Sequence, residues 1–212
     1  MALLAFVFTL VCVFAILLVA EHFARRTSMH SELTRKFVHM AVGTFVAFWP
    51  FFLSWRQIEL LSAGFLIVIL LSIKFTIFRS IHTVPRKAIG EILFATVIGF
   101  LALISSSEWI FMAAMLHLSL GDGIAAVVGL LWGDGNQYKV FGKIKSMAGT
   151  SAFFVTSLLI MICYVVFTDA SASIISLAFI PVIATATENL AVNGTDNLIM
   201  PVLVALILGG AA

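Results

Sequence analysis

Charge is scarce in this sequence: only 10% of its 212 residues are Asp, Glu, Lys or Arg, where a soluble domain carries about 25%. That scarcity excludes a soluble globular protein. No stretch is polar enough to form a separate soluble domain, so a single transmembrane catalytic domain over residues 1–212 is expected. Cysteine is nearly absent. Cys12 and Cys163 lie within apolar runs, with neither metal-ligand nor redox spacing, and read as small membrane- or core-facing side chains. The alternation of a membrane barrel is missing. So are the Walker A pattern and the protein-kinase signatures. The first apolar segment has no basic residues before it and no A-x-A-like site after it, so it reads as a retained helix rather than a cleaved signal.

What fills the chain is apolar: hydrophobic residues make up 62%, and mean hydropathy is +1.18. Apolar segments fall near residues 2–20, 37–53, 58–76, 89–106, 109–132, 147–167, 171–187 and 197–211. A hydrocarbon core about 30 Å thick needs roughly 20 such residues in a helix, and a helix satisfies its own backbone groups in lipid. The expected fold is therefore an all-α integral membrane protein, a polytopic bundle of about eight transmembrane helices. Eleven of the twelve Lys and Arg residues lie in or beside the first, third and fifth loops. The positive-inside rule places those loops in the cytoplasm and the N-terminus outside. Counting spans brings the seventh loop, ENLAVNGTDN, to the same face, so the active-site loops are expected to be cytoplasmic.

Polar residues inside or beside apolar helices are costly, and each needs a reason. In ELTRKFVHM, with a helix starting near Thr34, Arg35 and His39 are four apart and Lys36 and His39 three apart, on one face of the early turns. In VPRKAIGEILF, Pro85 suits a helix start, and Glu91 falls where a carboxylate is favoured by the helix dipole, with Arg86 or Lys87 available for charge balance. Asp122 lies 13 residues into the fifth apolar segment, a functional-site position by default. Asp122, Ala126, Gly129 and Gly133 share one helical face, and small residues there let another backbone approach closely. His117 lies deeper and reads as a polar core residue. Lys143, Lys145 and Ser146 precede the next helix, where Ser146 can cap amides that point toward an anion. Glu188, Asn189, Asp196 and Asn197 are hard oxygen donors of the kind that hold Mg²⁺ together with substrate phosphates.

One face thus gathers basic residues for phosphates, oxygen donors for Mg²⁺ and a buried Asp. That combination points to phosphoryl or nucleotidyl transfer to a lipid head group, which relies mostly on positioning and charge neutralisation.

These residues resemble the family of CTP-dependent lipid-alcohol kinases: dolichol kinase, phytol and farnesol kinases, and the fungal CTP-dependent diacylglycerol kinase. The resemblance covers residues 32–202. It is carried by Arg35-Lys36-x-x-His39, Gly90-Glu91, Gly121-Asp122-x-x-Ala125-x-x-x-Gly129, Lys145-Ser146-x-x-Gly149-Thr150, and Glu188 through Asp196-Asn197 to Pro201. It implies that Arg35, Lys36, Asp122 and Gly129 are needed for activity, with CTP as the phosphoryl donor. Two positions depart from the family pattern: Ala88 where many members have Ser, and Ala148 where many have Glu. The neighbouring phosphatidate cytidylyltransferases carry a G-H-G-G-x-x-D-R-x-D type signature that is absent here.

The expected site is then as follows. Asp122 accepts the hydroxyl proton or holds Mg²⁺, and His39 and Glu91 orient the catalytic centre. Arg35, Lys36, Gly121, Gly129, Lys143, Lys145, Ser146 and Gly149 contact the nucleotide phosphates. Asp122, Glu188, Asp196 and Asn197 are the candidate metal ligands. Expected partners are the lipid bilayer, a membrane lipid alcohol, a nucleoside triphosphate and, as an open option, a second copy in a homodimer; no nucleic acid is expected. A lipid cytidylyltransferase and a proton- or ion-coupled transporter are the alternatives. The clustering of polar groups on one face speaks against transport.

Overall fold

The computed structural model describes residues 2–26, 31–75, 88–168 and 174–211. Within them the helices are α1 (Ala2–Arg26), α2 (Ser31–Ala47), α3 (Trp55–Phe75), α4 (Ala88–Ile104), α5 (Glu108–Leu116), α6 (Asp122–Trp132), α7 (Met147–Thr168), α8 (Ile174–Leu190) and α9 (Asp196–Ala211). Every expected apolar segment contains a helix. Three described helical stretches are long and apolar enough to cross a membrane: α3, the continuous rod Glu108–Trp132 made by α5 and α6, and α7. Shorter apolar helices occupy Leu3–Val19, Ile89–Ile104 and Asp196–Gly210. The expected helix start at Pro85, with Arg86 and Lys87, lies outside the described residues.

Local chemistry sets the helix ends. α2 begins at Ser31, earlier than Thr34, so Arg35 and Lys36 lie a full turn inside it. After α2, Trp49–Phe51 form a tight turn with Pro50 near its start, where a missing N–H costs nothing. Ser54 and Gln57 then open α3 as a capping box: the Gln57 amide N–H donates to Ser54 Oγ at 3.4 Å, and the Ser54 N–H donates to Gln57 Oε1 at 2.9 Å. Ser107 caps α5 by accepting from the Ile110 N–H at 3.3 Å.

α5 is the central helix, packed between α2, α7 and α9; α4 leans on α3 and α9, α8 on α7 and α9, and α1 on α2. Phe111, Met115 and Leu118 are fully buried at this centre, with Phe153, Met161 and Met200 around them. His117 is fully buried there too. Its Nδ1–H donates to the Ala113 carbonyl at 2.8 Å, and its Nε2 accepts from the Ser157 hydroxyl at 2.8 Å, so its hydrogen-bonding capacity is used in the core.

The described residues fit the expected all-α fold, with two local features the sequence did not announce. Residues His117–Gly121, between α5 and α6, form a π-helical turn. Residues 137–146, expected as a loop, form an antiparallel hairpin of β1 (Gln137–Val140) and β2 (Lys143–Ser146), paired Gln137↔Ser146 through Val140↔Lys143. Phe141 (φ 46°) and Gly142 (φ 77°) make its turn. Two successive positive φ angles match the right-handed twist of short strands. Strands of four residues are too short to announce themselves by alternation.

Candidate functional site

A cavity of ≈ 570 Å³ opens at the end of the bundle where α2, α4, α7 and α9 begin and α6 and α8 finish. Four basic residues line it: Arg35 and Lys36 from α2, Lys143 and Lys145 from the hairpin. Facing them are Asp122 at the start of α6, Glu188 near the end of α8, and Asp196 and Asn197 at the start of α9. Gly129, Ser146 and Gly149 line the cavity where α6 meets α7. Six helices and the hairpin thus bring together residues spread over most of the sequence.

Asp122 is 6% exposed and forms an ion pair with Lys36, itself 9% exposed. His39 Nε2 lies 3.8 Å from the same carboxylate oxygen. Because a carbonyl only accepts, His39 donates through Nε2 to the Leu118 carbonyl at 3.3 Å, inside the π turn. The π turn therefore supplies both the carbonyl that holds His39 and the phase that points Asp122 at α2. Such turns concentrate at functional sites.

A second ion pair joins Lys145 to Glu188, and the Lys145 ammonium also donates to the Glu188 carbonyl at 3.2 Å. Glu188 follows the apolar stretch of α8. Burial holds its carboxyl above the usual range, with the Lys145 ammonium pulling the other way. Lys143 donates to the Ala191 carbonyl at 3.2 Å. Asn197 Nδ2 donates to the Gly90 carbonyl at 2.8 Å, which leaves its Oδ1 as an oxygen donor. Asp196 lies within electrostatic reach of both Asp122 and Lys36.

The glycines act through close approach. A Cβ on Gly149 would stand 2.9 Å from the Ala125 carbonyl and 3.4 Å from Gly129 Cα. The small-residue stripe of α6 thus receives the start of α7, a partner within the same chain. Ser146 caps α7 as expected, accepting from the Gly149 N–H at 3.1 Å. Gly194 takes φ 85°, and a Cβ there would lie 2.8 Å from Gly90 Cα, so the turn before α9 is pressed onto the start of α4.

Besides Asn189, three expected site residues do not line the cavity. His39 stands behind Asp122. Glu91, in the first turn of α4, feels the Arg35 charge instead. Gly121 faces Phe153, whose ring lies 3.0 Å from where a Cβ would stand.

Other residues escaped the sequence reading. Gln137, Asn193 and Gly194 line the cavity. Tyr138 ties the hairpin to the bundle: its hydroxyl donates to Asn189 Oδ1 at 2.8 Å and contacts Thr150 Oγ1, which lies 3.1 Å from the same Asn189 oxygen. The Asn189 side-chain oxygen, expected as a metal donor, is thus engaged in holding the hairpin. An amphipathic tyrosine beside a lysine-rich pair was the one available signal. Tyr138→Phe is expected to cost about 1 kcal/mol of local stability, read as roughly fivefold faster amide exchange confined to residues 137–146. Unchanged exchange would mean that the hairpin is held by its lysines alone.

A phytol kinase from Synechocystis sp. (strain ATCC 27184 / PCC 6803 / Kazusa) is 31% identical over 202 residues, which span 91% of this chain and 85% of that protein. A probable phytol kinase 2, chloroplastic, from Oryza sativa subsp. japonica is 30% identical over 167 residues, 71% of this chain and 53% of that protein. No protein-family model matches the chain, and no solved structure matches it. A buried Lys–Asp pair in a basic cavity at the end of an apolar helical bundle, and identity sustained along nearly the whole sequence, lead to one assignment: the chain belongs to the phytol kinase family of lipid-alcohol kinases.

Proposed function

We propose that this protein is a membrane kinase that transfers the γ-phosphoryl group of CTP to the hydroxyl of a membrane lipid alcohol. A prenol of the phytol, farnesol or polyprenol class is the first choice of acceptor and diacylglycerol the second. The observation that carries the reading is the placement of Asp122, buried against Lys36 at the inner end of a cavity whose outer part is basic. The acceptor hydroxyl attacks the γ-phosphorus in line, the bond to the β-phosphate oxygen breaks, and CDP leaves. Asp122 takes the hydroxyl proton. Lys36 is then released toward the phosphoryl group, where Arg35, Lys143 and Lys145 neutralise the remaining charge. His39 fixes the position of Asp122, and Glu91 that of Arg35.

The donor set suits Mg²⁺. Among the described residues no three His, Cys, Asp or Glu side chains gather closely enough to hold a metal alone. Mg²⁺ commonly takes one or two carboxylates and completes its shell with phosphate oxygens and water. Glu188, Asp196 and the Asn197 oxygen line the cavity for that purpose, and the ion would supply charge neutralisation at the phosphates. The distribution of Lys and Arg supports a multi-pass arrangement with this cavity on the cytoplasmic face.

The test uses purified protein in detergent–lipid micelles with Mg²⁺ and γ-labelled CTP, offered farnesol, phytol, a long polyprenol and diacylglycerol, with labelled ATP in parallel. Label in an organic-phase lipid phosphate is the expected result. Label from ATP alone would keep the kinase and remove CTP. Release of pyrophosphate with transfer of the cytidylyl group would make the protein a cytidylyltransferase. Substrate movement across vesicles with no nucleotide and no labelled lipid would make it a transporter.

A further inference from the structure

We propose that the lipid acceptor enters the cavity sideways from the bilayer, over an apolar sill made by Leu130 at the end of α6 and Ile144 of β2, and that its hydrocarbon tail stays in the membrane beyond that sill. The proposal rests on the lipid-kinase reading above and supplies the route by which a membrane-bound hydroxyl reaches Asp122.

Among the described residues that line the cavity, only Leu130 and Ile144 are both large and apolar. Both are also exposed, by 52% and 63%. Each therefore belongs to two surfaces at once, the cavity wall and the outside of the protein. They edge the same side of the opening. Ser146 seats the base of the hairpin on α6: a Cβ on Gly129 would lie 3.1 Å from its side chain, and one on Gly133 2.9 Å. Ile144 is two residues before Ser146 and so shares its face of β2, the face turned toward α6.

The outer side of this edge is lipid. α5 and α6 form one apolar rod of 25 residues, about 37 Å long, against a hydrocarbon core of about 30 Å. Leu130, Leu131 and Trp132 close the rod, and all three are exposed. Successive helical steps spread them over more than half of its circumference. A tryptophan at the end of such a rod suits the membrane interface. On the hairpin, Lys139 pairs with Ile144 across the strands and shares its face, a cation placed for lipid phosphates.

Inward from the sill, α6 offers a track with no polar side chain before Asp122. Leu130, Ala126 and Asp122 are spaced four apart on one helical face, and all three line the cavity. The track is about 12 Å long. The neighbouring stripe of Ala125 and Gly129 is covered by Gly149 of α7, which leaves Ala126 to floor the passage. Elsewhere the cavity carries Arg35, Lys143 and Lys145, which suit nucleotide phosphates. A basic wall is a poor host for hydrocarbon, and pulling a whole tail out of lipid is unfavourable. The acceptor needs only its first carbons in the passage, and the rest keeps its place in the bilayer.

The experiment uses wild-type protein in phosphatidylcholine vesicles with a farnesol analogue that carries a diazirine in mid-chain. It adds kinetics with farnesol, Mg²⁺ and CTP for wild type, Leu130→Gln and Ile144→Gln. Photolabelling is expected at Leu130 and Ile144, competed by excess unlabelled farnesol. Each substitution is expected to raise the KM for farnesol about tenfold, with the KM for nucleotide unchanged. A KM for nucleotide that rises while that for farnesol holds would give this edge to the nucleotide base and overturn the proposal. Labelling that excess farnesol does not compete, or competed labelling that avoids both residues, would overturn it too. So would an unchanged KM for farnesol in both folded variants. Labelling needs no turnover: competed labelling at the sill without phosphoryl transfer to any acceptor would remove the kinase reading and keep the lipid entry. Phosphoryl transfer with no labelling at the sill would do the reverse.

Discussion

Asp122→Asn is expected to lower turnover at least about a hundredfold, the usual range when a positioned proton acceptor is removed. The amide matches the carboxylate in size and still offers an oxygen to Lys36, so helical content and gel-filtration behaviour should match wild type even though the uncompensated Lys36 charge lowers the melting temperature. What disappears is the charge that takes the hydroxyl proton. The informative measurement is single-turnover transfer from labelled nucleotide to the lipid acceptor, which separates chemistry from product release. Retention of more than about a tenth of the wild-type rate would take Asp122 out of the chemistry.

Lys36→Met is expected to do more than weaken phosphate binding. Removing one partner of a buried ion pair leaves the other charge uncompensated, a loss of about 3–5 kcal/mol. Lys36 and Asp122 are 9% and 6% exposed, so solvent does little to soften it. The single variant should melt well below wild type in the same micelles. The double variant Lys36→Met, Asp122→Asn should recover most of that loss, because neither charge of the pair remains, yet stay inactive. Recovery of stability without recovery of activity is the non-additive pattern of two groups that share one interaction. A Lys36→Met protein that melts with wild type would show that the pair is open to water, and would remove the reason for Lys36 to be poised against Asp122.

The candidate site was readable in sequence to the extent that its residues are out of place in hydrocarbon. Asp122, Lys36 and Glu188 stand out because a charge beside an apolar span needs a partner or a task. Which partner each takes was not readable: Lys36 and Asp122 are 86 residues apart, and only the packing of α2 on α6 joins them. Helical phase decided the residues that turned elsewhere. Gly121 precedes Asp122 by one position, which turns it about 100° around the axis, toward Phe153. Tyr138 and Asn189 carry no charge and so gave no warning that they meet. The bundle itself was legible from apolar run lengths. The hairpin was not, because its order comes from Tyr138, Lys143 and Lys145 reaching the ends of α7 and α8 rather than from its own sequence pattern.

The π turn at His117–Gly121 also makes the rod Glu108–Trp132 two gears on one shaft. A π turn takes up one residue more than an α turn, which offsets the two halves by about 100°. Where it begins, His117 must mesh with Ser157 of α7; just past its end, Asp122 must mesh with Lys36 of α2. Deleting one residue from the turn would yield a smoother helix that can engage only one partner at a time. Shortening the rod by a single residue should therefore cost either the core or the chemistry, although every hydrogen bond of a regular helix would be available to it.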